Sequence, residues 1–242
     1  MTPGDVIPFR RLEVAPQRLP GWIESFADRH GAVTAQCDET TATFRAADGA
    51  ITALEIPFPP MTQAPPSAGP DRVAPGQAGG DTNSADPAVQ LAQRIAAHVL
   101  ADRTIAVLLV RLGGYAAGIF TGAGPTLAAS KVGSRLVHGR SAAGGTSQQR
   151  FARRRENQAH QALAAAADTA TAVFAPYADR IDALVLGGDR RALAGLRDDV
   201  RLAPYFALAV DAFLTVPDPR LAVLKDAPRL YRAIRIKLTE PA

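Results

Sequence analysis

"TIAVLLVRLGGYAAGIFTG", residues 104–122, decides the fold. Its first half, 104–112, is a nearly unbroken apolar run of strand length. A run of that kind predicts a strand buried on both faces. Gly113-Gly114 is a turn, and "YAAGIFTG" reads as the next strand. "TLAASKVG" and "SRLVHGR" read as two more. These last three alternate more than the first, as an antiparallel meander would. A long alanine-rich helical stretch follows, to about Tyr177. Phe151, Leu163, Ala166, Ala170, Val173, Phe174 and Tyr177 fall on one face of it. "IDALVLGGDRRALAGL" (181–196) then reads as strand, glycine turn and helix. "ALAVDAFL" (207–214) is open between helix and strand, and "LYRAIRIKL" (230–238) reads as a last strand. Strands followed by alternating helix and strand predict an α/β (α+β) fold, a mixed β-sheet flanked by helices.

Upstream, Asp86 can cap a helix with Pro87 at its first position, and Val89, Ile95 and Val99 give it an apolar face. Residues 57–85 are rich in Pro, Gly and Ser with no hydrophobic period. They are expected to form a disordered or extended linker, the alternative being a Pro-rich ligand for a partner domain. Residues 1–56 read as a small N-terminal α/β unit. Pro20–His30 is its helix, with Trp22, Ile23 and Phe26 inward. Ala32–Gln36, Thr41–Arg45 and Ile51–Ile56 are its strands. The expected organisation is therefore a unit at 1–56, a linker at 57–85 and a main domain at 86–242.

Composition narrows the function. The 242 residues are 47% hydrophobic, enough for a real core. The single cysteine, Cys37, excludes an internal disulfide and a cysteine-based zinc site, and it is expected to pack in the small N-terminal sheet. His30, His98, His138 and His160 make no metal-binding spacing, so no metal or other cofactor is expected. "MTPGDVIPFRR" lacks the build of a signal peptide and no apolar run is long enough for a membrane span, so a cytoplasmic protein is expected. The formal charge is +4, and it is unevenly placed. Lys131, Arg135, Arg140, Arg150, Arg153, Arg154 and Arg155 face one acid, Glu156, between 131 and 160. That stretch carries +6 and the remainder −2, which is a localised footprint for a phosphate backbone.

At the centre of that footprint lies "GRSAAGGTSQQRFARRR", residues 139–155. Gly144-Gly145 frees the backbone. Thr146-Ser147-Gln148-Gln149 then opens a helix as a capping box, with Gln149 reaching back to the Thr146 N–H. Gln148 is left without a structural task. The arginines crowd the end of the helix where the dipole disfavours cations, an arrangement that an anion would offset. A solvated charged face is the plainer reading of such a cluster.

"GGTSQ" resembles the loop of release-factor-type peptidyl-tRNA hydrolases. The middle domain of eukaryotic and archaeal class-one release factors carries Gly-Gly-Gln at a loop tip ahead of a long helix. The Vms-like release factors carry a Gly-Thr-x-Gln variant, which Gly145-Thr146-Ser147-Gln148 matches residue by residue. The basic flanks, the order of strands and the "LVLGGDR" turn fit as well, over roughly residues 86–242, and the chain resembles the bacterial branch of that family. The resemblance implies a release-factor middle-domain-like (RNase H-like) sheet. It implies hydrolysis of the ester between nascent peptide and tRNA on stalled ribosomes or large subunits, without stop-codon reading. Gln148 would be the catalytic residue, and Gly144, Gly145, Thr146, Ser147 and Gln149 would position the loop. Lys131, Arg135, Arg140, Arg150, Arg153, Arg154 and Arg155 would hold RNA. The implied partners are the large ribosomal subunit and peptidyl-tRNA, with no membrane and no DNA, and the protein is expected to be a monomer.

Three other readings stay open. The first is a non-catalytic RNA- or ribosome-binding protein on the same fold. The second is a metal-dependent nuclease, for which Asp102, Asp182, Asp189 and Asp211 are available carboxylates. The third makes "LGGDR" (186–190) a phosphate-binding turn, against a plain strand-to-helix turn. Lys131 and His138 stand on or near the strand entering the loop, and His138 has no assigned chemistry.

Overall fold

The computed structural model describes residues 9–61, 86–111, 113–135 and 147–241, with 147–156 described by their backbone alone. The first elements are β1 (Arg10–Val14), α1 (Leu19–His30), β2 (Val33–Cys37), β3 (Thr41–Ala46), β4 (Ile51–Glu55) and α2 (Pro87–Leu100). There follow β5 (Ile105–Arg111), β6 (Gly114–Thr121), β7 (Thr126–Ser134) and α3 (Ser147–Phe174). The chain closes with β8 (Ala183–Gly188), α4 (Arg190–Leu196), α5 (Ala203–Phe206), β9 (Ala209–Leu214), α6 (Leu221–Tyr231) and β10 (Ile234–Thr239). They form two compact units, Met1–Leu100 with Arg232–Ala242, and Ala101–Tyr231.

Alternating polarity builds the sheet of the first unit. Its order is β1-β10-β4-β3-β2, and every pair is antiparallel. In β10, Ile234, Ile236 and Leu238 are buried while Arg235 and Lys237 point the other way, Lys237 reaching Glu55 at 3.0 Å. One wet face and one dry face is what alternation means in an antiparallel sheet. The dry face packs with Leu19, Ile23 and Phe26 of α1 and with Val89, Leu91, Ile95 and Val99 of α2. Asp86 caps α2 by accepting from the Ala88 N–H at 2.8 Å. The β2–β3 turn closes on Asp38, which accepts the N–H groups of Thr40 and Thr41, both at 2.7 Å, and both their hydroxyls. Cys37 is half-buried against this core, and burial pushes its thiol pKa up.

The second unit has the mixed sheet, in the order β7-β6-β5-β8-β9. β7, β6 and β5 are an antiparallel meander, and β5, β8 and β9 run parallel. β5 is central, and Ile105 to Val110 are all buried. Each fully buried aliphatic side chain stabilises the fold by roughly 1.5–3 kcal/mol over its exposed state. β6 was expected to alternate, yet it too is buried on both faces. Tyr115, Ala117 and Ile119 meet the α3 side, where Ala166, Ala170 and Phe174 belong to the same core. On the other face a Cβ at Gly118 would lie 3.0 Å from Leu224 of α6, and Phe120 meets Tyr231 edge-on at 6.3 Å. α6 itself carried no sequence expectation. Its segment is punctuated by Pro217, Pro219 and Pro228, and Pro228 lies inside the helix. "ALAVDAFL" resolves as the strand β9 behind the short helix α5.

The compact units divide the chain elsewhere than expected. Helix 87–100 and the last strand were both read correctly as elements, but as parts of the domain at 86–242. They belong instead with residues 10–61. The reason is pairing rather than sequence proximity. The apolar face of α2 covers the N-terminal sheet, and β10 fits between β1 and β4. Most of the stretch expected as a linker, 62–85, lies outside the described residues.

Candidate functional site

The site is built where the meander leaves the sheet. β7 ends at Ser134, and the Arg135 N–H donates to the Gly113 carbonyl at 2.9 Å, continuing the β6–β7 pairing past the strand. The chain therefore departs beside the β5–β6 turn. That is also the carboxyl end of β5 and β8, where Val110 pairs with Gly188. In open sheets with parallel strands, this end is where ligands commonly bind. Arg111 secures the same end by donating from Nη1 to the Val216 carbonyl at 2.8 Å.

The last turn of β7 is shaped by one contact. Gly133 stands opposite Tyr115 across the strand pair, and a Cβ at Gly133 would lie 2.6 Å from the Tyr115 ring. An aromatic laid over a cross-strand glycine pins register. Sequence reasoning gave neither residue a role, because the pairing is visible only once the register is known.

Beyond the loop, α3 starts at Ser147 and runs 28 residues, about 42 Å at the α-helical rise. Its described side chains are first exposed or half-buried (157–161). Burial begins at Ala162 and continues through Ala166, Ala167, Ala170, Val173 and Phe174. The small alanines let the helix lie close on β6. Ser147, Gln148, Gln149, Arg150, Arg153, Arg154 and Arg155 all fall within its first three turns by backbone. The start of a helix carries unpaired N–H groups and roughly half a positive charge. Four arginines and no acid occupy positions 147–155, so the field there favours an anion. Lys131 and Arg135 are exposed on and just past β7, and neither meets a carboxylate among the described residues. His138, Arg140, Gly144, Gly145 and Thr146 lie outside the described residues.

The carboxylates considered for metal chemistry have structural tasks or stand apart. Asp189 caps α4, accepting from the N–H groups of Arg191 at 2.7 Å and Ala192 at 3.4 Å. Asp182 accepts the Thr104 N–H at 2.7 Å. Asp102 and Asp211 are exposed, and among the described residues no three His, Cys, Asp or Glu side chains come together. "LGGDR" is the strand-to-helix turn. The Asp189 N–H donates to the Val110 carbonyl at 2.7 Å, the Asp189 carboxylate takes the Arg191 and Ala192 amides just beyond the turn, and a side chain at Gly188 (φ +103°) would collide with the Val110 carbonyl.

No helix among the described residues is long and apolar enough to cross a membrane. Comparison with curated proteins gives no match. Among solved structures, the chain is similar to an archaeal translation termination factor, with 13% identity and a TM-score of 0.41 over 93% of this chain and 68% of that one. A family model described as the Actinobacteria/chloroflexi VLRF1 release factor matches residues 103–237, more than half of the sequence. The chain belongs to that release-factor family.

Proposed function

We propose that this protein hydrolyses the ester that joins a nascent peptide to tRNA, on stalled ribosomes or large subunits, through the loop motif Gly145-Thr146-Ser147-Gln148, whose last two residues open α3. One observation carries the reading: the release-factor match spans that loop and the basic helix directly behind it. Ester hydrolysis needs a water held for attack and donors aimed at the developing oxyanion. A neutral glutamine is too weak a base to remove a proton, but its side-chain carbonyl can orient water and its amide can donate. Gly144 and Gly145 give the backbone freedom to enter a narrow channel. Lys131, Arg135, Arg140, Arg150, Arg153, Arg154 and Arg155 then neutralise RNA phosphates around the entry.

The test is peptide release from purified large-subunit complexes carrying peptidyl-tRNA. Gln148→Ala is expected to lower the release rate by about 10²-fold or more, the scale of losing an oxyanion-type donor, while binding survives. Full release by that variant would refute the assignment. It would favour a non-catalytic RNA-binding role, in which only the arginine substitutions matter.

A further inference from the structure

We propose that the groove between α4 and the edge strand β9 is a docking site for an extended segment of a partner protein that sets one carboxylate beside an apolar side chain. This proposal is independent of the hydrolase reading. The groove encloses about 300 Å³, the lower end of the range for ligand sites. Leu186, Leu193 and Phe213 give it an apolar floor, and Arg190 at the start of α4 and Arg197 just past its end flank it. β9 closes one side of the sheet and pairs only with β8. Among the described residues its outward N–H and C=O groups have no partner. Ala209, Val210, Ala212 and Phe213 are half-buried along it. Apolar edges of this kind accept an added strand unless lysine, proline or a bulge blunts them. The β8–β9 register does shift between Leu184 and Leu186, so the outer ladder is regular only near Phe213 and Leu214. An occupant is therefore held by a short ladder and by side chains in the groove.

Charge selects that occupant. The Arg190 guanidinium lies 3.9 Å from the centre of the Phe213 ring, and Arg197 lies 5.0 Å from that of Phe206. Stacking holds both forks in place, and neither meets a carboxylate among the described residues. Arg201, farther along, is already taken by Asp168 at 2.8 Å and Asp199 at 2.7 Å. Two preset guanidinium groups beside an apolar floor fit a carboxylate next to an apolar side chain. A nucleic acid fits less well. Between 186 and 214, Arg190, Arg191, Arg197 and Arg201 are balanced by Asp189, Asp198, Asp199 and Asp211, and Asp211 lines the groove itself. A polyphosphate needs a net positive surface, and this one is neutral.

The experiment is selection of a displayed random-peptide library on the full chain, followed by affinity measurement on synthetic copies of the winners. Enriched sequences are expected to place an acidic residue beside an apolar one. They are expected to weaken at least about tenfold on the double variant Arg190→Ala/Arg197→Ala, the scale of losing a charge-assisted pair. Ala194→Trp should also block them, since Ala194 is exposed on the groove wall and its replacement leaves the arginines and the core in place. Three results would overturn the proposal. They are no enrichment, winners that bind both variants as well as wild type, and an oligouridylate that binds with the same arginine and Ala194 dependence in place of a peptide. A dimer dissolved by Ala194→Trp would assign the groove to a second copy of this chain and overturn it as well.

Discussion

Gln148 and Gln149 are chemically identical neighbours with opposite expected consequences. If Gln149 closes the capping box that the sequence expects from Thr146-Ser147-Gln148-Gln149, Gln149→Ala should cost at most about 1 kcal/mol of stability and leave the release rate nearly unchanged. Thermal melting and a release assay on the same preparation separate it from Gln148→Ala. The proposed distinction rests on register: the helix begins at Ser147, next to the Thr146 that the sequence pattern expects as its cap. A second prediction at this scale concerns Asp38. Hydrogen bonds from the Thr40 and Thr41 amides and hydroxyls hold its carboxyl well below the usual range. A carboxyl depressed on folding adds stability above its unfolded pKa of about 3.9, and the contribution fades as pH falls below that value toward the folded one. Asp38→Asn should therefore lower the melting temperature by a constant amount from about pH 6 to pH 8. The gap to wild type should shrink below about pH 4. A gap that widened in acid would contradict this account.

The elements differ in how plainly they announce themselves. β5 was legible because strand length and unbroken apolarity coincide. α4 was legible because Gly187-Gly188-Asp189 spells turn and cap. β6 misled because its inward faces hold small residues, Ala116, Ala117 and Gly118, whose burial depends on α3 and α6 closing over them. α6 gave no signal because its prolines read as loop. Two predictions belong here. Asp189→Ala uncaps α4 and should cost about 1 kcal/mol, seen as a fall of about 2–4 °C in the melting temperature. The basic start of α3 gives the other. If Arg153 neutralises a phosphate, Arg153→Ala should flatten the logarithmic salt dependence of large-subunit binding by about 0.7–0.9. Arg201→Ala serves as the control, because Asp168 and Asp199 already hold that guanidinium, and its slope should match wild type.

At the scale of the whole molecule, the sequence order of the elements is a poor guide to their partners. The period-two pattern of 234–239 says "strand with one wet face" and nothing about which sheet it joins. That choice depends on the vacancy between β1 and β4, two strands separated by about forty residues. A loop motif and its charge lie side by side in sequence, so a site can be proposed from sequence alone, whereas sheet closure is non-local. Closure by β10 has a testable consequence. A chain ending at Tyr231 loses the central link of the first sheet, leaving β1 without any partner strand and β4 paired only with β3. It also loses Ile234, Ile236 and Leu238 from the core over α1 and α2. The second unit keeps all five of its strands and its own core within 101–231. Hydrogen exchange on the truncated chain should therefore show amide protection collapsing in β1, β3 and β4 while β5, β6 and β8 keep theirs. Equal loss in both sheets would mean that the two units fold as one cooperative block rather than as separate cores.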